Sequence, residues 1–360
     1  MLHTETLMWK EINETPEIFS KIRSANSDVM KKLVSAIKNG KASNFVAAAR
    51  GTSDHAIIFF KYVLEVNTNY TVGLSAPSVV TLYHGKVNYS NSIVIGCSQS
   101  GQDEDVLEII KKGNEQGAIT IAVTNDENSP MAKEAKFHLF CSAGEKQAVS
   151  ATKTFNAQLY LLLWLASELA ENKNNLLLLK HLDQEITRVM PQIDQLTTEY
   201  AQKFKDMQSG FVLSRGLTYA IALEASLKLQ ETCYIMMKGY AGSDFLHGPM
   251  AMVNEQTPII IYCAQNNGNE ELRNLVRTDQ IKIIKKMLSL NAPVLLVTND
   301  VVLKGKFTRC NDALISFGVP EEVCMFAFAI FSQMFACKVS CLIGNNPDKP
   351  RGLQNVTITR

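Results

Sequence analysis

Residues Ser92–Val106 read SIVIGCSQSGQDEDV. Ile93-Val94-Ile95 is an apolar run of the kind that forms a buried strand. It passes through Ser98-Gln99-Ser100-Gly101 into a helix-like pattern from Asp103 to Ile110. A strand that turns through small hydroxyl residues into a helix start can hold an anion. The unpaired N–H groups of the first helical turn point at the ligand and the helix dipole favours negative charge. Ser98 and Ser100 are the candidate anion binders. The same residues also fit a plain strand-to-helix turn with a serine N-cap.

Around this stretch strands and helices alternate. Phe45–Ala49 reads as a strand, Arg50-Gly51-Thr52-Ser53-Asp54 as a tight turn, and His55–Glu65 as a helix. Tyr70–Leu74, Ala118–Val123 and Phe137–Cys141 read as further strands. Alternation of this kind predicts an α/β fold with a parallel sheet, and ligands in such sheets bind at the carboxyl ends of the strands. The Thr52-Ser53 and Ser98–Ser100 turns both fall there. Residues 8–40, opened by Pro16, read as helical, and so does 152–205.

The second half repeats the first. Val46–Asp54 (VAAARGTSD) aligns with Phe211–Tyr219 (FVLSRGLTY), Ile93–Gln99 (IVIGCSQ) with Ile259–Gln265 (IIIYCAQ), and Ile121–Asp126 (IAVTND) with Leu295–Asp300 (LLVTND). The order is kept and the offset grows slowly, from 165 through 166 to 174 residues. The copies have diverged. Where the first has Ser98-Gln99-Ser100-Gly101, the second has Ala264-Gln265-Asn266-Asn267.

The second copy carries charge instead. Glu224, Lys228 and Glu231 fall at i, i+4 and i+7 of a helical pattern, on one face. Two carboxylates around a lysine can be an acid/base set; the pattern by itself favours a solvated salt-bridge stripe. Gly239–Pro249 reads as a glycine-rich loop around His247, either structural or, near the carboxylates, catalytic.

Composition restricts the function classes. The 360 residues are 46% hydrophobic and 20% charged, with a net charge of +1, which suggests no nucleic-acid footprint. The apolar stretch Met325–Cys341 is interrupted by Ser332, Gln333 and Lys338 and reads as a buried helix, so no membrane span is expected. The N-terminus lacks the pattern of a signal peptide. Eight cysteines without C-x-x-C spacing point to buried thiols in a reducing cytoplasm. No metal site and no G-x-G-x-x-G nucleotide fingerprint is visible, so no cofactor is expected.

These motifs together resemble the double-SIS (sugar isomerase) family. The likeness is greatest to the isomerase half of glucosamine-6-phosphate synthase and to related amino-sugar-phosphate deaminases and deglycases. It is carried by Met8-Trp-Lys-Glu-Ile, Arg50-Gly-Thr-Ser53, Ser98-Gln-Ser-Gly101, Val149-Ser-Ala-Thr-Lys153, Ala222–Ile235, Leu246-His-Gly-Pro249 and the tail Pro350-Arg-Gly-Leu353 with Val356-Thr357. The resemblance implies two flavodoxin-like SIS lobes, each a parallel sheet flanked by helices, related by duplication. The expected organisation is a helical lead-in over 1–40, lobe one over 41–170 and connecting helices over 171–205. Lobe two then covers 206–345, and a tail over 346–360 closes the site.

It further implies a hexose or amino-sugar 6-phosphate as ligand. Thr52, Ser53, Ser98, Gln99 and Ser100 would bind its phosphate, and Gly51, Val149 and Asn355 would complete the pocket. Glu231 matches the family's general base between C1 and C2, with Lys228 and Glu224 as polar neighbours. His247 matches the ring-opening histidine, which in the synthase reaches across from a partner subunit, so a homodimer is implied. The chemistry needs one carboxylate serving both carbons and an acid/base for the ring oxygen.

Three features depart from the pattern. Asp103 stands where the synthase has a phosphate-contacting threonine. Asn355 stands at or beside the place of a lysine that forms a Schiff base with the open sugar, and asparagine cannot form an imine. The chain opens Met1-Leu2-His3 directly on the isomerase half, with no glutaminase domain as an ammonia source. The expected reaction therefore runs from amino sugar toward ketose and ammonia. A fructosamine-6-phosphate deglycase, and a sugar-phosphate binder that has lost catalysis, stay open beside it.

Overall fold

The computed structural model describes residues 1–354. In chain order the helices are α1 (Leu7–Asn13), α2 (Thr15–Asn39), α3 (Thr52–Asn67), α4 (Ser78–Thr81), α5 (Glu104–Glu115), α6 (Pro130–Glu134), α7 (Lys153–Leu169), α8 (Lys173–Lys180), α9 (Leu182–Phe204), α10 (Tyr219–Cys233), α11 (Gly242–Leu246), α12 (Glu270–Ser289) and α13 (Glu321–Leu342). The strands are β1 (Asn44–Ala49), β2 (Thr71–Leu74), β3 (Ser92–Cys97), β4 (Ile119–Thr124), β5 (Phe137–Phe140), β6 (Ser209–Ser214), β7 (Met236–Ala241), β8 (Ile259–Cys263), β9 (Val294–Thr298) and β10 (Cys310–Leu314).

The chain divides into two compact units. One comprises Glu14–Lys146 and Lys153–Asp183; the other comprises Met1–Asn13, Gln147–Thr152 and Gln184–Leu353. The first, which carries the Ser53 and Ser98–Ser100 turns, is named the clamp unit; the second, which carries Glu224, Lys228 and Glu231, is named the trio unit.

The clamp unit holds a parallel sheet of order β2-β1-β3-β4-β5. Its central strand β3 is buried along its whole length, as expected where helices cover both faces. Val94 with Val106, Ile109, Ile110 and Met131 forms one core layer. Helix α7 packs against α3 and α2. The predicted helix over 8–40 is two helices, α1 and α2, meeting at Glu14, and they belong to different units.

The trio unit holds a second parallel sheet, of order β10-β9-β8-β6-β7. Read from β7, this is the clamp unit's order strand for strand, so the duplication seen in the sequence is a duplication of topology. Its 2-1-3-4-5 order is flavodoxin-like. The repeated Arg-Gly turn is conserved in backbone and in contacts. Gly51 and Gly216 both take positive φ, 53° and 68°. Arg50 reaches Asp105 on α5 at 2.7 Å, and Arg215 reaches Asp279 on the corresponding α12 at 2.6 Å.

Helix α13 is long and apolar enough to cross a membrane by length and composition, and its whole apolar window is buried within the fold. It packs against α10 and α1 as the trio unit's core helix. The eight cysteines are free thiols, six of them buried.

Gly239–Pro249 is not a glycine-rich loop. Its start completes β7, an edge strand paired with β6, and α11 follows. Gly239 serves close packing: a Cβ there would lie 2.7 Å from the Ala222 carbonyl oxygen of α10.

Candidate active site

In the clamp unit the register of β1 on β3 pairs Ala49 with Cys97, so the two turns leave the sheet side by side. Thr52 opens α3 behind Gly51. Ser53 is buried, and its Oγ accepts a hydrogen bond from Gln158 Nε2 at 2.9 Å. Ser98 is also buried. Its Oγ accepts the Gly101 N–H at 3.0 Å and donates to the Asp103 carboxylate. The Ser100 hydroxyl accepts the Gln102 N–H at 3.3 Å. Gln99 and Ser100 line a cavity of about 330 Å³ with Gln102, Asn125, Asp126 and Lys146.

Ser98 is not an N-cap. The cap of α5 is Asp103, whose side chain makes no capping bond. The first turn of α5 carries Glu104 and Asp105. Asp105 is tied to Arg50 and accepts from Thr81 Oγ1 at 3.0 Å. The Ser98–Ser100 turn therefore has hydroxyl, amide and helix-end donors, with the carboxylates of Asp103, Glu104 and Asp105 following it and Lys146 lining the same cavity.

The trio unit carries the charged residues of α10. Helix α10 is covered by β7 and α13 and has almost no exposed face. The side chains of Glu224 and Lys228 are 0% exposed, and that of Glu231 is 20% exposed. The solvated salt-bridge stripe favoured by the spacing is thereby overturned. Burial of the helix makes these charges dependent on one another.

Lys228 Nζ lies 2.7 Å from Glu231 Oε2 and 3.3 Å from Glu224 Oε1. It also donates to Ser150 Oγ and to the Ala151 carbonyl, each at 3.1 Å. Burial alone would lower the pKa of this ammonium. The Glu224 and Glu231 carboxylates outweigh it and hold the pKa above its ordinary value.

Ser150 and Ala151 belong to a six-residue strap that joins the trio unit although it runs between β5 and α7. Glu11 Oε1 accepts the N–H groups of Gln147 at 2.5 Å and Ala148 at 3.3 Å. The Val149 N–H donates to the Asp348 carbonyl at 3.3 Å, and Gln333 Nε2 donates to the Thr152 carbonyl at 3.3 Å. Val149 is half-buried on this strap. Ser150 lies in the Val149–Lys153 motif but receives no site role from the sequence, because nothing in its spacing links it to a helix 81 residues away.

His247 caps the end of α11 and is exposed, and no hydrogen bond joins its ring to the trio. Asn355 lies outside the described residues. The described part of the tail is anchored in the trio unit. Asp348 accepts the N–H groups of Leu7 and Met8 at 2.8 Å, and the Arg351 guanidinium stacks on Tyr234 at 4.3 Å.

The two repeated sheets match what comparison with known proteins finds. The model of the SIS domain matches residues 41–168 and again 203–340. The chain belongs to the SIS domain family. A glutamine–fructose-6-phosphate aminotransferase [isomerizing] of Sulfurisphaera tokodaii is 29% identical over 98% of this SIS chain, which spans 56% of that relative's length. The C-terminal domain of the glucosamine-fructose-6-phosphate aminotransferase of Francisella tularensis superposes with a TM-score of 0.82 at 24% identity, covering 96% of this chain and 98% of that one. A glucosamine-6-phosphate deaminase of Thermotoga maritima superposes with a TM-score of 0.71 at 20% identity, covering 98% and 99%. At these identities the two structures establish that this SIS chain shares their fold.

Proposed function

We propose that this protein is a sugar-phosphate isomerase acting on an amino-sugar 6-phosphate, with ketose 6-phosphate and ammonia as products. The observation that carries the reading is the buried Glu224–Lys228–Glu231 trio. A lysine wholly removed from water and held charged between two carboxylates is costly to build for stability alone. Such arrangements are what proton-transfer sites require.

In this reading the Ser53, Ser98, Gln99 and Ser100 turns take the phosphate, with Thr52 and Gly51 beside them and Val149 in the pocket. The phosphate supplies binding energy away from the reacting carbons. His247 opens the ring, contributed by the second copy of a homodimer, and its exposure supports that assignment. Glu231 removes the C2 proton of the open amino aldose and returns it at C1. Lys228 stabilises the developing negative charge. The resulting C2 imine takes up water and releases ammonia, leaving the ketose. The setting we assign is the cytoplasm.

The test is incubation with glucosamine 6-phosphate, following ammonia and fructose 6-phosphate by NMR, beside a panel of N-substituted fructosamine 6-phosphates. Stoichiometric ammonia and ketose support the reading. Turnover of only the N-substituted ketosamines replaces it with a deglycase, which Asn355 in place of the family's lysine favours. Binding without turnover of any compound makes the chain a sugar-phosphate binder that has lost catalysis.

A further inference from the structure

We propose that Ser150 is a positioning residue that divides the Glu231 carboxylate into one restrained and one reactive oxygen, so that Oε1 is the atom that takes the proton. The inference rests on the proton-transfer reading above and adds the atom at which it occurs.

Hydrogen-bond bookkeeping decides the direction of each contact. A lysine ammonium donates and cannot accept, so the 3.1 Å contact between Lys228 Nζ and Ser150 Oγ has the serine oxygen as acceptor. The one hydroxyl proton of Ser150 is then free for its other neighbour, Glu231 Oε2, at 2.5 Å. Oε2 therefore receives two donors, the Ser150 hydroxyl and the Lys228 ammonium at 2.7 Å. No hydrogen bond reaches Oε1 among the described residues. Two donors on one oxygen stabilise its negative charge and oppose protonation there. A proton arriving from carbon is accepted at Oε1 and given back from Oε1, with Oε2 anchored throughout.

The geometry also suits the demands of the step. Ser150 is 1% exposed, and its strap is fixed through Glu11, Asp348 and Gln333. The Ser150 hydroxyl is thus a rigid donor that prevents the carboxylate from rotating about its last torsion. One fixed oxygen must serve both carbons, and preorganisation lowers the cost of reaching each.

The experiment compares Ser150→Ala and Ser150→Thr with the wild type in two readouts. The first is turnover of the amino-sugar 6-phosphate. Ser150→Ala is expected to lose roughly ten- to hundredfold in kcat, the worth of a hydrogen bond to a charged group, with KM little changed. Ser150→Thr keeps the hydroxyl and is expected to restore most of kcat. The second is the infrared carboxylate stretch of Glu231 in protein carrying 13C-labelled glutamate, identified by subtracting Glu231→Gln. It is expected to shift in Ser150→Ala and to return in Ser150→Thr. An unshifted band and an unchanged kcat in Ser150→Ala overturn the inference, as does a threonine variant no better than alanine. A band that shifts in Ser150→Ala, when the wild type turns over no sugar phosphate, leaves the Ser150 contact standing and refutes the proton-transfer reading, and with it the role of Oε1.

Discussion

Ser98 donates its hydroxyl to the carboxylate of Asp103, within the turn that links β3 to α5. The hydroxyl best placed to bind an anion is thus already committed to one. Replacing Asp103 with threonine removes a negative charge and frees the Ser98 proton. Asp103→Thr is expected to tighten binding of a hexose 6-phosphate by about tenfold, the worth of a charge-assisted hydrogen bond. Calorimetric titration checks this, with the unphosphorylated sugar as control. An affinity that is unchanged or weaker, or an equal gain for the unphosphorylated sugar, contradicts this account of the turn.

Lys228 has no exposed surface and contacts two carboxylates. Lys228→Met preserves much of the volume but leaves Glu224 buried without its counter-charge. The expected cost is about 3–5 kcal/mol of stability, the usual result of breaking a buried pair. Urea unfolding measures it as a lower midpoint at constant slope. A midpoint equal to that of the wild type would show that the ammonium does not sustain the buried charge.

Glu321, at the start of α13, is 6% exposed, and burial pushes its carboxyl up from 4.5 to about 7 despite the hydrogen bond from Asn266. Below pH 4.5 the group is protonated in both folded and unfolded chains and carries no penalty. Between 4.5 and 7 the unfolded chain has released its proton while the folded one retains it, so stability falls as pH rises. Above 7 both are ionised and the loss is constant, on the order of a few kcal/mol. Glu321→Gln should remove this decline while keeping an acceptor for Asn266. Thermal unfolding of the two proteins should diverge across that window. Parallel curves from pH 4 to 8 would contradict the assignment.

Much of this was legible in the sequence because the sheets are buried on both faces. Ile93-Val94-Ile95 and Ile259-Ile260-Ile261 have no polar alternation, and the repeated Arg-Gly turns gave the duplication directly. The reading of β7 failed because an edge strand has little apolar signal. Met236 and Lys238 are exposed, and Gly239 fits against α10 where a side chain would collide. The Glu224, Lys228 and Glu231 spacing is identical whether a helix is solvated or covered. Only the packing of β7 and α13 around α10 distinguishes the two. The Ser150 contact was beyond any periodic pattern, since it joins a strap to a helix far along the chain.

The most direct test of the account is the rate at which Glu231→Gln converts the amino-sugar 6-phosphate to ketose, measured beside the wild type at saturating substrate. Glutamine keeps the shape and can still accept from Lys228, but it cannot take a proton from carbon. The account predicts an active wild type and a loss of about a hundredfold or more in kcat, with substrate still bound. A variant that retains the wild-type rate would contradict it and remove Glu231 from the chemistry.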